Sequence, residues 1–334
     1  MKPKHRLPLA LALVVATAAC LSKTARFTAG PEMVGGPNSY TWLEGWGDLP
    51  GGVTLGNTHG SILIDSEGRV LMNTDGAHAV IAYDPDGMPL FTWGEELRGG
   101  LHGMALVEEG GRELLYLVHT GRGEVIRATP EGEILWRRGW PEESGLYDDR
   151  NQYRPTAVAV GPDGTIFVAD GYGKSYIHRF SADGTYLNSF GGGGEEDGKF
   201  RTCHGLAMDS SYDPPRLIVA DRENHRLQAF DLEGNHLATY AGNLRRPCSV
   251  SCNAEGWLVA DLAGRVTILS RDGELIAHLG DQPNERLRAN NGVSSDLWRS
   301  GEFLAPHSAA WDASGNIYVV DWNRNGRVTK LSRN

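Results

Sequence analysis

Residues Thr156–Phe190 read TAVAVGPDGTIFVADGYGKSYIHRFSADGTYLNSF, a run of four apolar segments separated by three turns. The turns GPDG, GYGKS and SADG are rich in Gly, Asp and Ser, residue types that favour tight reversals of the chain. The segments are five or six residues long and contain many β-branched and aromatic residues, which is typical of β-strands. This stretch therefore predicts a four-stranded antiparallel meander.

The same pattern recurs along the chain, and each copy begins at an equivalent position just before its first strand. These reference positions are His59, His102, Thr156, His204, Cys248 and His307, and they lie 43 to 59 residues apart. Repeats of roughly this length are typical of propeller blades once loops are included. We therefore predict an all-β fold, a six-bladed β-propeller.

The last repeat predicts how the ring closes. Only three strand-like segments follow His307, whereas Ser39–Gly47 (SYTWLEGWG) resembles the fourth strands of other repeats. We expect this N-terminal strand to complete the last blade and to remove an exposed sheet edge. The predicted propeller domain spans residues 39–334, and we expect a monomer.

Three links are longer than a turn requires: residues 138–153, 191–200 and 281–303. Each leads into the innermost strand of the next blade, so we expect all three at one mouth of the ring. An aspartate also recurs at the end of the second strand of several repeats, where it is expected to accept N–H bonds from turns. These aspartates are Asp170, Asp221, Asp261 and Asp321.

The N-terminus resembles an export signal. Lys2, Lys4 and Arg6 precede an apolar run, Leu7–Ala19, and small residues precede Cys20. We assign residues 1–19 to a signal peptide and residues 20–38 to a flexible tether rich in Gly and Pro. Thr17-Ala18-Ala19-Cys20 resembles a lipobox, although Thr replaces its usual aliphatic residue. The protein is thus expected to be exported, either as a periplasmic or outer-membrane-anchored lipoprotein with its lipid on Cys20 or as a secreted protein.

The charge distribution argues against a nucleic-acid partner. The chain has 32 Lys and Arg against 42 Asp and Glu, a formal net charge of −10, and its cations are scattered. If Cys20 is lipidated, Cys203, Cys248 and Cys252 remain. A Cys203–Cys248 disulfide and buried free thiols are both compatible with the spacing. Cys203 should face away from the axis if His204 faces it.

The recurring histidines suggest a metal site. His102, His204 and His307 belong to alternate blades, so they should lie about 120° apart around the axis. Three imidazoles converging on one point favour zinc with an open fourth position. The alternative is that they are channel-lining polar residues bound to water. His59 breaks this threefold pattern, and we interpret it as a relic of the repeat or a residue that supports the ligands.

The segments GPDGTIFVADGYGKSYIHRF and RLIVADRENHRLQAF resemble NHL repeats over nearly all of the chain after residue 40. Within that class, the sequence resembles the lyase domain of peptidylglycine alpha-amidating monooxygenase. The resemblance implies that LHGM, CHGL and PHSA supply zinc ligands through His102, His204 and His307. It also implies that Tyr172 in DGY is the catalytic base, that Arg222 in ADREN assists it, and that Met104 offers a backbone carbonyl to calcium.

The chain departs from this family at several positions. Ser308 stands where the family has a calcium-binding aspartate, and no first-blade arginine is visible in residues 71–76 (LMNTDG). The cysteines of the family disulfides and the copper-dependent hydroxylating domain are also missing, and Gly173 follows Tyr172. A partner would therefore have to supply hydroxylated substrate.

The leading hypothesis is a zinc lyase that cleaves N-acyl or peptidyl α-hydroxyglycine to an amide and glyoxylate. The alternative is a non-catalytic propeller that binds a protein, peptide or glycan at its loop-rich face. A propeller lactonase fits less well, because such sites typically use carboxylates in the channel and the inner strands here begin with histidines.

Overall fold

The structure of the protein is a computed structural model that describes residues 27–334. In it, the repeated turns divide the chain into six antiparallel sheets. The first three sheets comprise the following strands: β3 (Ile62–Ile64), β4 (Val70–Asn73), β5 (Val80–Tyr83) and β6 (Pro89–Trp93); β7 (Leu101–Glu109), β8 (Arg112–His119), β9 (Glu124–Ala128) and β10 (Ile134–Arg138); β11 (Ala157–Val160), β12 (Ile166–Ala169), β13 (Tyr176–Phe180) and β14 (Tyr186–Gly191).

The remaining three sheets follow in chain order, and the last also receives the first two strands of the described chain. Their strands are β15 (Cys203–Asp209), β16 (Arg216–Asp221), β17 (Arg226–Phe230) and β18 (His236–Ala241); β19 (Pro247–Asn253), β20 (Gly256–Asp261), β21 (Arg265–Leu269) and β22 (Leu275–Leu279); β23 (Pro306–Trp311), β24 (Ile317–Asp321) and β25 (Arg327–Arg333) with β2 (Asn38–Glu44) and β1 (Thr28–Gly35).

The six sheets are the blades of a propeller, as the repeat predicted. The first strand of each blade is innermost, and the inner strands contact one another in the cyclic order β3, β7, β11, β15, β19, β23 and back to β3. Buried apolar side chains fill the spaces between neighbouring blades, for example Trp257 of the fifth blade with Ile218 and Ala220 of the fourth. The prediction of a six-bladed all-β propeller is confirmed.

The predicted closing strand is also confirmed. Strand β2 pairs antiparallel with β25, with Trp42 opposite Leu331. Tyr40 and Trp42 are 1% and 3% exposed and pack with Phe303. The N-terminal strand therefore supplies both the fourth strand and part of the core of the last blade.

The predicted tether is wrong where the structure describes it. Thr28–Gly35 forms a fifth, outermost strand of the last blade, with Met33 opposite Tyr40. It is ordered by its main-chain pairing with β2 and by Met33, which packs against the neighbouring core. Composition alone missed this strand because most of its side chains are exposed. The predicted signal peptide, Cys20 and the start of the tether lie outside the described residues.

Short 3-10 turns occur only in connections between strands of the described chain. They span Pro50–Gly52, Glu95–Leu97, Glu142–Ser144, Arg150–Gln152, Arg222–Asn224, Glu285–Leu287 and Ser295–Leu297. No helix in residues 27–334 has the length and apolar character needed to cross a membrane.

The three long links lie at one end of the ring, as expected. In the first, Leu146 O accepts a hydrogen bond from Lys174 Nζ. In the second, Gly194 O accepts one from Asn224 Nδ2, and in the third, Val293 O accepts one from Asn323 Nδ2. Each link thus packs against the turn that follows the second strand of the blade it enters.

Candidate metal centre and active site

Three histidines from alternate blades surround the propeller axis. His102, His204 and His307 are each no more than 3% exposed. Their ring centroids are 4.8 Å apart for His102–His204, 4.8 Å for His102–His307 and 5.0 Å for His204–His307. The structure therefore brings together the three histidines that the sequence predicted as ligands, in a nearly equilateral arrangement.

Each of these imidazoles is oriented by a backbone carbonyl of the next blade. The Nδ1 atoms of His102, His204 and His307 lie 2.6, 2.8 and 2.9 Å from the carbonyl oxygens of Thr156, Cys248 and Gly60, respectively. A carbonyl can only accept, so each Nδ1 carries the proton and the Nε2 lone pair is free for a metal.

Burial keeps these rings neutral. It lowers the pKa of His102, His204 and His307 well below the ordinary histidine value, with smaller contributions from neighbouring cations and rings. Nε2 of His307 is buried and has no hydrogen-bond partner among the described residues. A bound metal ion would satisfy this acceptor, whereas an unpaired buried nitrogen is energetically costly.

The glycine after the histidine explains the HG motif in the second and fourth blades. A Cβ on Gly103 would lie 2.5 Å from Thr156 O, and one on Gly205 would lie 2.6 Å from Cys248 O. These carbonyls are the same ones that accept from His102 and His204. Only glycine allows the next blade to come close enough for the orienting hydrogen bond.

The donor set fits zinc. Neutral imidazole nitrogens are typical zinc ligands, and Nδ1–H bonds to backbone carbonyls are typical of the support that holds them. The donor atoms of His59, His102 and His307 lie within 4.8 Å of one another, and so do those of His204, Cys248 and His307. His307 is common to both sets, and the three histidines predicted as ligands are divided between them.

Tyr172 extends from the turn after β12 to the histidine cluster. Its hydroxyl oxygen lies 2.8 Å from His204 Nε2 and 3.3 Å from both His102 Nε2 and His59 Nε2. One phenol proton can be donated to only one of these nitrogens. Burial raises the pKa of Tyr172 to about 12, although the cation of Arg222 acts in the opposite direction.

Arg222 lies beside Tyr172, in the turn after β16. Its Nη1 donates to the Tyr172 hydroxyl at 3.4 Å, and its Cζ lies 5.5 Å from the centre of the phenol ring. Its Nε donates to Glu223 at 2.9 Å, and Glu223 also accepts from Arg246 at 2.6 Å. The predicted pair is thus assembled at the centre: Tyr172 contacts the histidines directly, and Arg222 contacts Tyr172.

Two residues at the centre were not predicted to be ligands. His59 lies 4.8 Å from His102 and 4.7 Å from His307 between ring centroids, and burial lowers its pKa to about 4. Cys248 Sγ lies 3.3 Å from His204 Nδ1, and burial raises the pKa of its thiol to about 12. Both occupy the repeat's reference position, which is the signal that could have identified them.

Cys203 lies away from the centre. Cys203 packs in the core between the third and fourth blades, facing away from the axis as predicted. Cys203, Cys248 and Cys252 are all free thiols, so the structure contains no Cys203–Cys248 disulfide.

The channel next to the histidines does not fit the calcium that the resemblance implied. Its described lining contains Met104, Ser308 and other polar or apolar residues but no aspartate or glutamate. Ser308 Oγ instead accepts a hydrogen bond from Ile62 N at 3.2 Å. Calcium prefers six to eight oxygen ligands including carboxylates, so we derive no role for it.

The recurring aspartates have the structural role expected of them. Asp170, Asp221 and Asp261 accept hydrogen bonds from the backbone N–H groups of Arg154, Arg201 and Arg246, respectively. Asp321 accepts from the N–H groups of Leu304 and Ala305. In the third to sixth blades, the carboxylates therefore tie the start of the inner strand to the turn that carries Tyr172, Arg222 or its equivalent.

Sequence comparison finds relatives among amidating enzymes, although no family model matches the chain. The chain is 42% identical over 188 residues to peptidylglycine alpha-amidating monooxygenase of Rattus norvegicus, a match that covers 53% of this chain and 18% of the relative. It is 26% identical over 267 residues to peptidyl-alpha-hydroxyglycine alpha-amidating lyase 1 of Drosophila melanogaster, covering 73% of this chain and 47% of that protein. The matches thus span about a fifth to a half of these relatives.

Comparison of structures supports the fold. A solved streptogramin B lyase superposes with a TM-score of 0.61 at 13% identity, covering 90% of this chain and all of that one. At this identity the likeness establishes the propeller architecture and carries no information about the substrate.

Proposed function

Because the chain is a six-bladed β-propeller of NHL-like repeats with sequence similarity to hydroxyglycine amidating lyases, we propose that it is an exported zinc-dependent carbon–nitrogen lyase. The proposed substrate is an N-acyl or peptidyl α-hydroxyglycine, and the products are an amide and glyoxylate. The observation that carries the proposal is the set of three carbonyl-oriented imidazoles, two of which, His102 and His204, lie within 3.3 Å of the Tyr172 hydroxyl.

The residues at the centre have separate roles in the proposed reaction, metal binding for the histidines and proton transfer for Tyr172. When bound by His102, His204 and His307, zinc supplies a Lewis acid that lowers the pKa of a substrate hydroxyl. Tyr172 accepts the hydroxyl proton as the carbon–nitrogen bond breaks, and it returns a proton to the departing amide nitrogen. The hydroxyl carbon becomes the aldehyde of glyoxylate, so no external oxidant or reductant is needed.

Arg222 favours the deprotonated form of Tyr172. The phenolate is the form that acts as a base, and burial disfavours it. The guanidinium donates to the phenol oxygen, and its positive charge stabilises a negative charge there. Glu223 orients Arg222 through its Nε and leaves Nη1 directed towards Tyr172.

The proposal is tested with purified protein that is assayed for both metal and product. We expect about one zinc per chain and release of glyoxylate from N-benzoyl-α-hydroxyglycine. Tyr172→Phe should keep the zinc but lower kcat about 10²- to 10⁴-fold, the usual contribution of a positioned acid–base group. Zinc without glyoxylate release would refute the amidating activity, and absence of zinc would favour the non-catalytic binding propeller.

Export belongs to the same proposal and rests on residues 1–20. Secretion of the full chain, followed by identification of the mature N-terminus by mass spectrometry, distinguishes cleavage before Cys20 with lipid attachment from simple secretion.

A further inference from the structure

An open pocket adjoins Tyr172 on the side where the long links lie. It lies between the third and fourth blades and is lined by Arg154, Gly171, Tyr172, Gly173, Ser175 and Thr202. Arg154 is the charged residue in this lining. A substrate that reaches Tyr172 from this side would meet a cation.

The guanidinium of Arg154 is exposed and has no hydrogen bond or ion pair with another described residue. The neighbouring arginines already have hydrogen-bond or ion-pair partners. Arg222 is bound to Glu223 and Tyr172, Arg246 to Glu223, and Arg201 to Glu195. Arg154 is therefore free to pair with an incoming anion.

The backbone fixes Arg154 next to Tyr172. Its N–H donates to Asp170 Oδ1 at 2.6 Å, and its carbonyl accepts from Tyr172 N at 3.3 Å. Pro155 follows and further restricts the backbone at Arg154. The positive charge of Arg154 also reaches the phenol, where it acts in the same direction as Arg222 to lower the pKa of Tyr172 against the larger effect of burial.

We propose that Arg154 binds the carboxylate of the α-hydroxyglycine unit and makes the site selective for substrates with a free acid. This inference rests on the proposed function, in which the carboxylate is bonded to the carbon that carries the hydroxyl. Arginine can hold a carboxylate through two parallel N–H bonds. No arginine is present in residues 71–76 of the first blade, and Arg154 supplies the cation from the third blade instead.

The experiment compares N-benzoyl-α-hydroxyglycine with its methyl ester in the wild-type protein and in Arg154→Gln, Arg154→Lys and Arg201→Gln. Arg201 is the matched control because it is an exposed arginine at the same mouth that is paired with Glu195. Loss of a charge-assisted bond predicts that Arg154→Gln lowers kcat/KM for the acid about 10- to 100-fold, mainly through KM. The kcat/KM of Arg154→Gln for the methyl ester should differ from the wild-type value by less than about twofold. Arg154→Lys should recover part of the loss for the acid because it keeps the positive charge.

A binding measurement separates this inference from the proposed reaction. N-benzoylglycine has the carboxylate but lacks the hydroxyl, so it should bind without being cleaved. Calorimetry should show binding to the wild-type protein and to Arg201→Gln, and about 10-fold or weaker binding to Arg154→Gln. If no variant releases glyoxylate but this pattern persists, the proposed reaction fails while the carboxylate site stands. Equal losses for acid and ester, or no binding of N-benzoylglycine to the wild-type protein, would overturn the inference.

Discussion

At the scale of single residues, His59 lies as close to the centre as the predicted ligands but lacks, among the described residues, the hydrogen bond that would orient its ring for metal binding. Its ring is as close to His102 and His307 as the three predicted ligands are to one another. However, its described hydrogen bond is between Nε2 and the Tyr172 hydroxyl, and no carbonyl bond to Nδ1 fixes its tautomer. The other three histidines each have such a carbonyl partner.

We therefore predict different effects on metal content for His59→Ala and His204→Ala. His204→Ala removes a pre-oriented donor and should reduce bound zinc to well below one per chain, because supported ligands bind more tightly. His59→Ala should retain the bound zinc and should instead lower kcat. Metal analysis after dialysis measures the difference. Equal zinc loss in the two variants would show that His59 is itself a ligand.

At the scale of elements, the turn after the second strand is built differently in the third blade. In the fourth, fifth and sixth blades the recurring aspartate faces an arginine at the start of the third strand, as in the 2.7 Å contact of Arg226 Nε with Asp221. Asp170 faces Tyr147 instead, whose hydroxyl lies 2.7 Å from Asp170 Oδ2 and 2.6 Å from His178 Nε2. The carboxylate behind the Tyr172 turn thus has neutral side-chain partners.

This difference predicts a pH dependence of stability. Burial raises the pKa of Asp170 to about 6, with hydrogen bonds opposing it, so the folded state favours the protonated acid. The resulting stabilisation is fully present below the ordinary aspartate pKa and is lost as the pH rises through about 6, a change on the order of 3 kcal/mol. The Tm of the wild-type protein should therefore rise relative to that of Asp170→Asn as the pH falls from 7 to 5.

Asp148→Asn is the control for this measurement, because Asp148 is exposed in the adjacent loop. Its Tm should follow that of the wild-type protein at every pH. Other buried acids, among them Asp221 and Asp321, also have raised pKa values and contribute to the pH dependence of Tm in every variant. The contribution of Asp170 is therefore read from the difference in Tm between the wild-type protein and Asp170→Asn at each pH. A constant difference between the wild-type protein and Asp170→Asn across this range would contradict the prediction.

At the scale of the whole molecule, the candidate metal centre depends on the closure of the ring. His307 in the last blade is oriented by Gly60 O in the first, and Thr58 Oγ1 donates to Asp321 O at 2.6 Å across the same boundary. The last blade is in turn completed by β2, whose Trp42 is buried beside Phe303. The N-terminal strand therefore supports one of the three candidate ligands from a distance.

Trp42→Ala should lower the free energy of unfolding by about 3–5 kcal/mol, the usual cost of removing a buried tryptophan. Val34→Ala on the outermost strand should change it by less than about 0.5 kcal/mol, because Val34 is 73% exposed. Urea denaturation measures both values. A small effect of Trp42→Ala, comparable with that of Val34→Ala, would mean that the closing strand contributes little to the fold.

Much of the fold was predictable because the strands and turns of a propeller blade depend mainly on residues that are close together in the sequence. Turn residues and short apolar segments such as those of Thr156–Phe190 specify each meander, and repetition of the meander specifies the ring. Strand β1 was missed because an outermost strand has few buried side chains and therefore little apolar pattern. The roles of Tyr172 and Arg222 followed from the family resemblance, whereas the contacts of Tyr172 with the histidines and of Arg222 with Tyr172 required the structure.

The sequence by itself determined the strands, the turns, the number of blades and the alternate-blade placement of His102, His204 and His307. The tertiary structure alone decided that carbonyls of the next blade orient these rings, that His59 and Cys248 join the centre, and that Arg154 lies free beside Tyr172. The physical reason is that strand and turn formation depends on neighbours in sequence. Contacts across blades instead join residues that are distant in sequence, 247 positions apart for His307 and Gly60, and they form only when the ring closes.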